Sequence, residues 1–227
     1  MRDTLLLWDI DGTLVCTDGA GERSLLILIK ELYGRELGEK LPVKLAGRTD
    51  VSIARDILKF LEIESTPEEE RRFRDAYLER LPITLPAGKS KLHPGIAEIL
   101  EAVHAHAEIH QGLLTGNHEA GAKLKLGHLG IWKYFEFGAF ADDSHIRDEL
   151  GPFALRRAKE KLGIDFPPER VFIIGDTQHD VACGKAIGAK TIAVATGSFS
   201  VAELEACKPT HTFADFADTK AFLDVIL

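Results

Sequence analysis

Short apolar runs that break off abruptly alternate with longer stretches whose apolar positions recur every three or four residues. Residues 4–8 are a continuous apolar run that stops at Asp9-Ile10-Asp11-Gly12-Thr13, the pattern of a buried strand delivering polar residues at its carboxyl end. Residues 19–35 place Leu25, Leu28, Ile29 and Leu32 on one helical stripe, and residues 51–61 repeat that spacing. Thr66-Pro67-Glu68-Glu69 supplies a capping Thr, a Pro at the first helical position and acids in the first turn, so a helix is expected to about Leu81. Pro82, Pro86, Gly88 and Ser90 then read as a linker. Residues 18–87 are therefore expected to be an all-helical insert.

Beyond the linker the two patterns alternate regularly. Helices are expected at 94–105, 117–129, 152–162 and 179–187, and strands at 109–114, 135–140, 171–174 and 191–195. An edge strand at 210–213 and a last helix from Asp218 complete the chain. Strands alternating with helices predict an α/β fold, a doubly wound parallel sheet covered on both faces. Residues 1–17 and 88–227 would form this core and 18–87 the insert. In such sheets ligands gather outside the carboxyl ends of the strands.

Those strand ends carry the polar residues. The first ends in Asp9 and Asp11, two apart and on one face if the strand stays straight, with Gly12 allowing a sharp turn. Two carboxylates at one strand end suit a divided task, Asp9 attacking and Asp11 moving a proton. Thr115-Gly116-Asn117 precedes a helix, where a hydroxyl, free backbone N–H groups and the helix dipole form an anion site. Asp176 follows the strand at 171–174, and Asp180 comes one helical turn later. Four acids at one sheet edge need a cation, and hard oxygen ligands with few protein contacts fit Mg2+. One basic side chain would balance charge in the transition state.

Asp-x-Asp-Gly-Thr, then Thr-Gly-Asn, then Gly-Asp-Thr-x-x-Asp, each after a strand and in that order, resemble the haloacid dehalogenase-like hydrolase superfamily. The likeness spans the chain from Asp9 to Asp180 and the strand beyond. It implies a Rossmann-like core with a small helical cap, of the phosphoglycolate phosphatase-like branch. By resemblance, Asp9 forms an aspartyl-phosphate and Asp11 protonates the leaving oxygen and then activates water. The Asp9 side chain, the Asp11 carbonyl and Asp176 would hold Mg2+ with Asp180 beside them, and Thr115, Gly116 and Asn117 would contact the phosphate. One position departs from the pattern. The family's Lys is missing from segment 142–152, where Arg147 is the only cation; Arg holds phosphate in a bidentate fork, and Lys159 is the alternative. In the insert, Arg48 of Gly47-Arg48-Thr49 would reach an anionic part of the substrate if the cap closes, hinged at 18–21 and 85–90.

Composition narrows the partners. A formal net charge of -8 over 227 residues argues against a generic nucleic-acid binder. Cys16, Cys183 and Cys207 form no paired motif, so neither a disulfide framework nor a zinc site is expected, and a reducing cytoplasm fits. The first apolar run is too short for a signal peptide or a membrane span. His104, His106 and His110 read as solvated positions rather than ligands, while His118 and His179 adjoin the motifs. The expected activity is hydrolysis of a small phosphorylated metabolite. A phosphomutase is the main alternative; Asp11 speaks against 2-haloacid dehalogenation, no marked cap Lys supports phosphonate cleavage, and the intact acid set speaks against a non-catalytic binding protein.

Overall fold

A computed structural model describes residues 3–227. The first strand, β1 (Thr4–Trp8), is followed by a two-residue strand, β2 (Val15–Cys16). Three helices come next: α1 (Ala20–Tyr33), α2 (Asp50–Phe60) and α3 (Pro67–Ala87). The chain returns through β3 (Lys91–Leu92), which pairs antiparallel with β2, so a short two-stranded ribbon carries it out to the helices and back. The remainder alternates: α4 (Ile96–His104), β4 (Ile109–Leu114), α5 (Glu119–His128), β5 (Gly138–Ala139), α6 (Leu150–Leu162), β6 (Val171–Gly175), α7 (Gln178–Ala186), β7 (Lys190–Val194), α8 (Val201–Ala206), β8 (His211–Phe213) and α9 (Thr219–Ile226).

Six strands form one parallel sheet in the order β5-β4-β1-β6-β7-β8. β1 lies between β4 and β6, and Trp8 is level with Leu113 on one side and Ile174 on the other. The residues that follow these three strands therefore emerge together at one edge. Alternation along β1 supplies both faces: Leu6 and Trp8 join a cluster with α4, α5 and α9, while Leu5 and Leu7 pack with α6 and Cys183 of α7. This is the α/β doubly wound architecture expected from the alternating pattern.

Helices α1–α3 bury a separate apolar cluster that includes Leu25, Leu28, Ile29, Ile57, Phe73 and Leu81. Thr49 caps α2 by accepting from the Ser52 N–H, and Thr66 caps α3 by accepting from the Glu69 N–H. The linker expected at Pro82–Ser90 is instead helix through Ala87, with Pro82 and Pro86 inside it. Both prolines lie on the exposed face while Leu81, Thr84 and Leu85 are buried, so the carbonyls of Leu78 and Pro82, deprived of their N–H donors, stay within reach of water. The strand expected over 135–140 shrinks to two residues because a 3-10 turn (Trp132–Tyr134) fills its approach. Among the described residues no helix is long and apolar enough to cross a membrane.

Candidate active site

The chain leaves β1 at Trp8 and coils at once. The N–H groups of Leu14 and Val15 both point back to the Ile10 carbonyl, and Gly12 adopts a φ of 81°. Asp9 and Asp11 are thus not on a straight strand, and they face different partners. Asp9 is buried, and its Oδ1 lies 3.1 Å from Arg147 Nη2. Asp11 is partly exposed, and its Oδ2 accepts from Lys125 Nζ at 2.6 Å and from Asn117 Nδ2 at 2.8 Å.

Arg147 lies in a 3-10 turn (Arg147–Glu149) before α6 and is buried between Asp9 and Asp180, hydrogen-bonded to the latter. Its Nε is buried with no hydrogen-bond acceptor. Lys159, the alternative cation, pairs with Asp165 on the surface. Asp176 is buried after β6 and accepts from Thr13 Oγ1 at 3.2 Å. The backbone presses on it: a Cβ at Gly197 would lie 1.7 Å, and one at Gly12 2.5 Å, from Asp176 Oδ2.

One carboxylate oxygen each from Asp9, Asp176 and Asp180 lie within 4.8 Å of one another, a spacing that can hold a metal ion. Burial pushes both Asp9 and Asp176 above the ordinary carboxylate range, and the neighbouring acids push the same way; Arg147 opposes this at Asp9. Three buried acids sharing one guanidinium leave unbalanced negative charge, so the donor set fits a hard divalent cation. Asp180 is already engaged through both oxygens. Oδ1 takes Arg147, and Oδ2 takes the Thr177 N–H at 3.0 Å and hydroxyl at 2.7 Å in a capping box on α7.

The Thr115 hydroxyl is fully buried and accepts from Asn117 Nδ2 at 2.9 Å. The anion site expected at the start of α5 is narrower than the sequence suggests, because carboxylates already take its first N–H groups. Asp50 accepts from the His118 N–H and Asp142 from the Glu119 N–H, each at 2.8 Å. His118 Nδ1 also lies 3.1 Å from Asp142. The inserted loop before α2 seats directly on this segment. The Asp50 N–H donates to the Gly116 carbonyl at 2.7 Å, and a Cβ at Gly116 would lie 2.1 Å from the Arg48 carbonyl. Arg48 lines the same cavity, but its guanidinium pairs with Asp56 of α2.

The cavity enclosed by these groups holds about 450 Å³. Asp9, Asp11, Asn117, Arg147 and Asp176 line its floor, and Leu25, Ile53 and Tyr77 of the inserted helices stand opposite. Lys125, Asp50 and Tyr77 carry no motif and were not marked by sequence spacing. The burial of Lys125 has no local signal, since a Lys within Lys123-Leu124-Lys125-Leu126 reads as a solvated position.

The family model of the haloacid dehalogenase-like hydrolases matches residues 6–185. The chain is similar to "Probable phosphatase IndB" of Dickeya dadantii, 26% identical over 222 residues covering 94% of this chain and 90% of that one. It is also similar to "Phosphoglycolate phosphatase" of Aquifex aeolicus, 27% identical over 220 residues covering 97% and 96%. The crystal structure of CbbY from Rhodobacter sphaeroides in complex with phosphate shares the fold, with a TM-score of 0.75 at 20% identity over 96% of each chain.

Proposed function

Because the chain belongs to the haloacid dehalogenase-like hydrolase family, we propose that it is a magnesium-dependent phosphatase that hydrolyses small phosphate monoesters through an aspartyl-phosphate on Asp9. The observation that carries this reading is the contact between Asp9 Oδ1 and Arg147 Nη2 at 3.1 Å on the floor of a cavity that Asp176 also lines, with Asp180 in the same group of acids. Asp9 and Asp176, with the Asp11 carbonyl, would hold the Mg2+, and Asp180 stands beside it and anchors Arg147. When bound, the ion supplies positive charge that lets an anionic carboxylate approach an anionic phosphate.

The rest is done by the chain's own groups. Thr115, Gly116 and Asn117 hold the phosphoryl oxygens, and the unpartnered Arg147 Nε donates to one of them. An Asp9 oxygen attacks phosphorus; the phosphorus–oxygen bond to the alcohol breaks, and the alcohol oxygen takes its proton from Asp11. Asp11, now ionised, takes a proton from water as that water attacks the aspartyl-phosphate. Inorganic phosphate leaves and the Asp9 carboxylate is restored. Helices α1–α3 act as a cap that excludes bulk water, and Arg48, at the cavity wall, would have to exchange Asp56 for an anionic group on the substrate. A cavity of about 450 Å³ suits a small phosphorylated metabolite.

The test is hydrolysis of p-nitrophenyl phosphate with Mg2+ and with chelator. Turnover is expected only with the ion, and Asp9→Asn is expected to reduce it by at least about 10³-fold, the scale seen when a nucleophile is removed. An Asp9→Asn variant that keeps most of the activity would show that the nucleophile lies elsewhere.

A further inference from the structure

Lys125 lies on α5, a helix of the sheet core, and is 4% exposed. A buried ammonium is tolerated only when paired and hydrogen-bonded. Its ammonium donates to Asp11 Oδ2 and to Asn117 Oδ1, each at 2.6 Å, and the buried Tyr77 lies close enough to interact with it electrostatically. The reach follows from helix geometry. Side chains lean toward a helix's N-terminus, and an extended Lys from the second turn returns to the strand end where Asn117 stands. Asn117 in turn donates to Asp11 Oδ2, so two donors meet on one oxygen of that carboxylate.

Tyr77 belongs to α3, not to the sheet core, and is buried against α5 beside Gly121. The approach of Tyr77 to the Lys125 ammonium therefore joins the inserted helices, through one side chain, to Asp11. A lysine serving packing alone would need no such set of acceptors; an apolar side chain would fill the space without charge.

We propose that Lys125 is a positioning residue for Asp11, orienting that carboxylate toward the leaving oxygen and tied to the inserted helices through Tyr77. This rests on the reading of Asp11 as proton donor given above. Lys125 keeps its own protons throughout. It acts by holding Asp11 in one orientation, and Tyr77 completes the hold only while the inserted helices are seated on the core.

The experiment compares kcat/KM for ethyl phosphate and p-nitrophenyl phosphate in the wild type, Lys125→Met and Tyr77→Phe. This parameter covers only steps up to release of the alcohol. Ethoxide needs a proton to leave, whereas p-nitrophenolate does not. Lys125→Met is expected to lower kcat/KM for ethyl phosphate by at least about 10-fold more than for p-nitrophenyl phosphate, within the range of proton-transfer catalysis. Tyr77→Phe is expected to show the same preference at a few-fold. Equal losses on both esters, or no loss, overturn the assignment while leaving the phosphatase reading intact. A wild type that hydrolyses neither ester overturns that reading and this one together. If Lys125→Met fails to fold, the ratio in Tyr77→Phe decides, and an unchanged ratio there overturns the tie to the inserted helices.

Discussion

Replacing Asp176 by Asn is expected to stabilise the metal-free protein and to abolish its response to Mg2+. Asp176 is 3% exposed and faces Asp9 and Asp180 with carboxylate oxygens within 4.8 Å. Burial, then repulsion from those two acids, raises its pKa in the folded chain. A raised pKa means that the folded state resists ionisation at this position. The stability it contributes is full below the unfolded value of about 4 and is lost as pH rises through the folded value. In chelator, the wild type should therefore weaken as pH rises from about 4 toward and past neutrality. Asn has no charge to shed. Removing an uncompensated buried charge is worth on the order of 1–3 kcal/mol, which for a chain of this size is about 2–10 °C in Tm.

Added Mg2+ should reverse the order. An ion at 100 times its Kd stabilises the wild type by about 2.7 kcal/mol, or roughly 5–10 °C, and should leave Asp176→Asn where it was. The assay is thermal unfolding of both proteins at pH 7.5, in chelator and in Mg2+, repeated toward pH 5. The Mg2+ shift of the wild type should shrink at the acid end, because a protonated carboxyl competes with the ion. If Asp176 served only as an acceptor for Thr13, the Asn variant, whose Oδ1 still accepts, would melt no higher than the wild type in chelator. That result, or an equal Mg2+ shift in both proteins, would refute the reasoning.

Arg147→Ala is expected to lower kcat by about 10²–10³-fold, the cost of losing one preorganised charge at a transition state. It should also move the acid limb of the kcat/KM profile to higher pH, because the guanidinium lowers the pKa of Asp9 and its loss leaves the nucleophile protonated over a wider range; an unmoved limb in the pH–rate profile would count against the pairing. Pro82→Ala returns an N–H to the Leu78 carbonyl on the exposed face of α3 and should raise Tm with turnover unchanged, by up to about 3 kcal/mol of stability. An unchanged melt would mean that the helix already accommodates the ring without cost.

Much of the fold could be read from periodicity because the core strands are short and buried on both faces. Thr4–Trp8 and Val171–Gly175 are uniformly buried runs, and such runs contrast sharply with helical spacing. The candidate site was legible wherever its residues follow a strand, since a parallel sheet gathers the ends of β1, β4 and β6. Three features were hidden. Pro82 and Pro86 mark a linker by local rules, yet the apolar cluster that binds Leu81 and Leu85 holds the helix through both. The first N–H groups of α5 read as free, but Asp50 takes one from 68 residues away. Lys125 reads as solvated because its partners, Asp11 and Tyr77, come from segments that no local pattern joins to α5.

The two short-spaced acids end in opposite electrostatic settings. By the protein's own charges alone, Asp9 is raised, mainly by burial, while at Asp11 burial is outweighed by Lys125 and Asn117 and the pKa is lowered. A nucleophile needs the lower value and a proton donor the higher one, so the ordering is the reverse of what the proposed roles require. Loading would act against both shifts. A divalent cation against Asp9 and Asp176 favours the ionised nucleophile, and a phosphate dianion brought next to Asp11 disfavours its charge. The ion pair of Asp11 with Lys125 then matters for geometry rather than acidity, since it keeps the carboxylate in place while the substrate supplies the shift. On the proposed mechanism, catalytic competence would therefore belong to the loaded cavity, with ion and substrate in place before the two carboxylates take up different tasks.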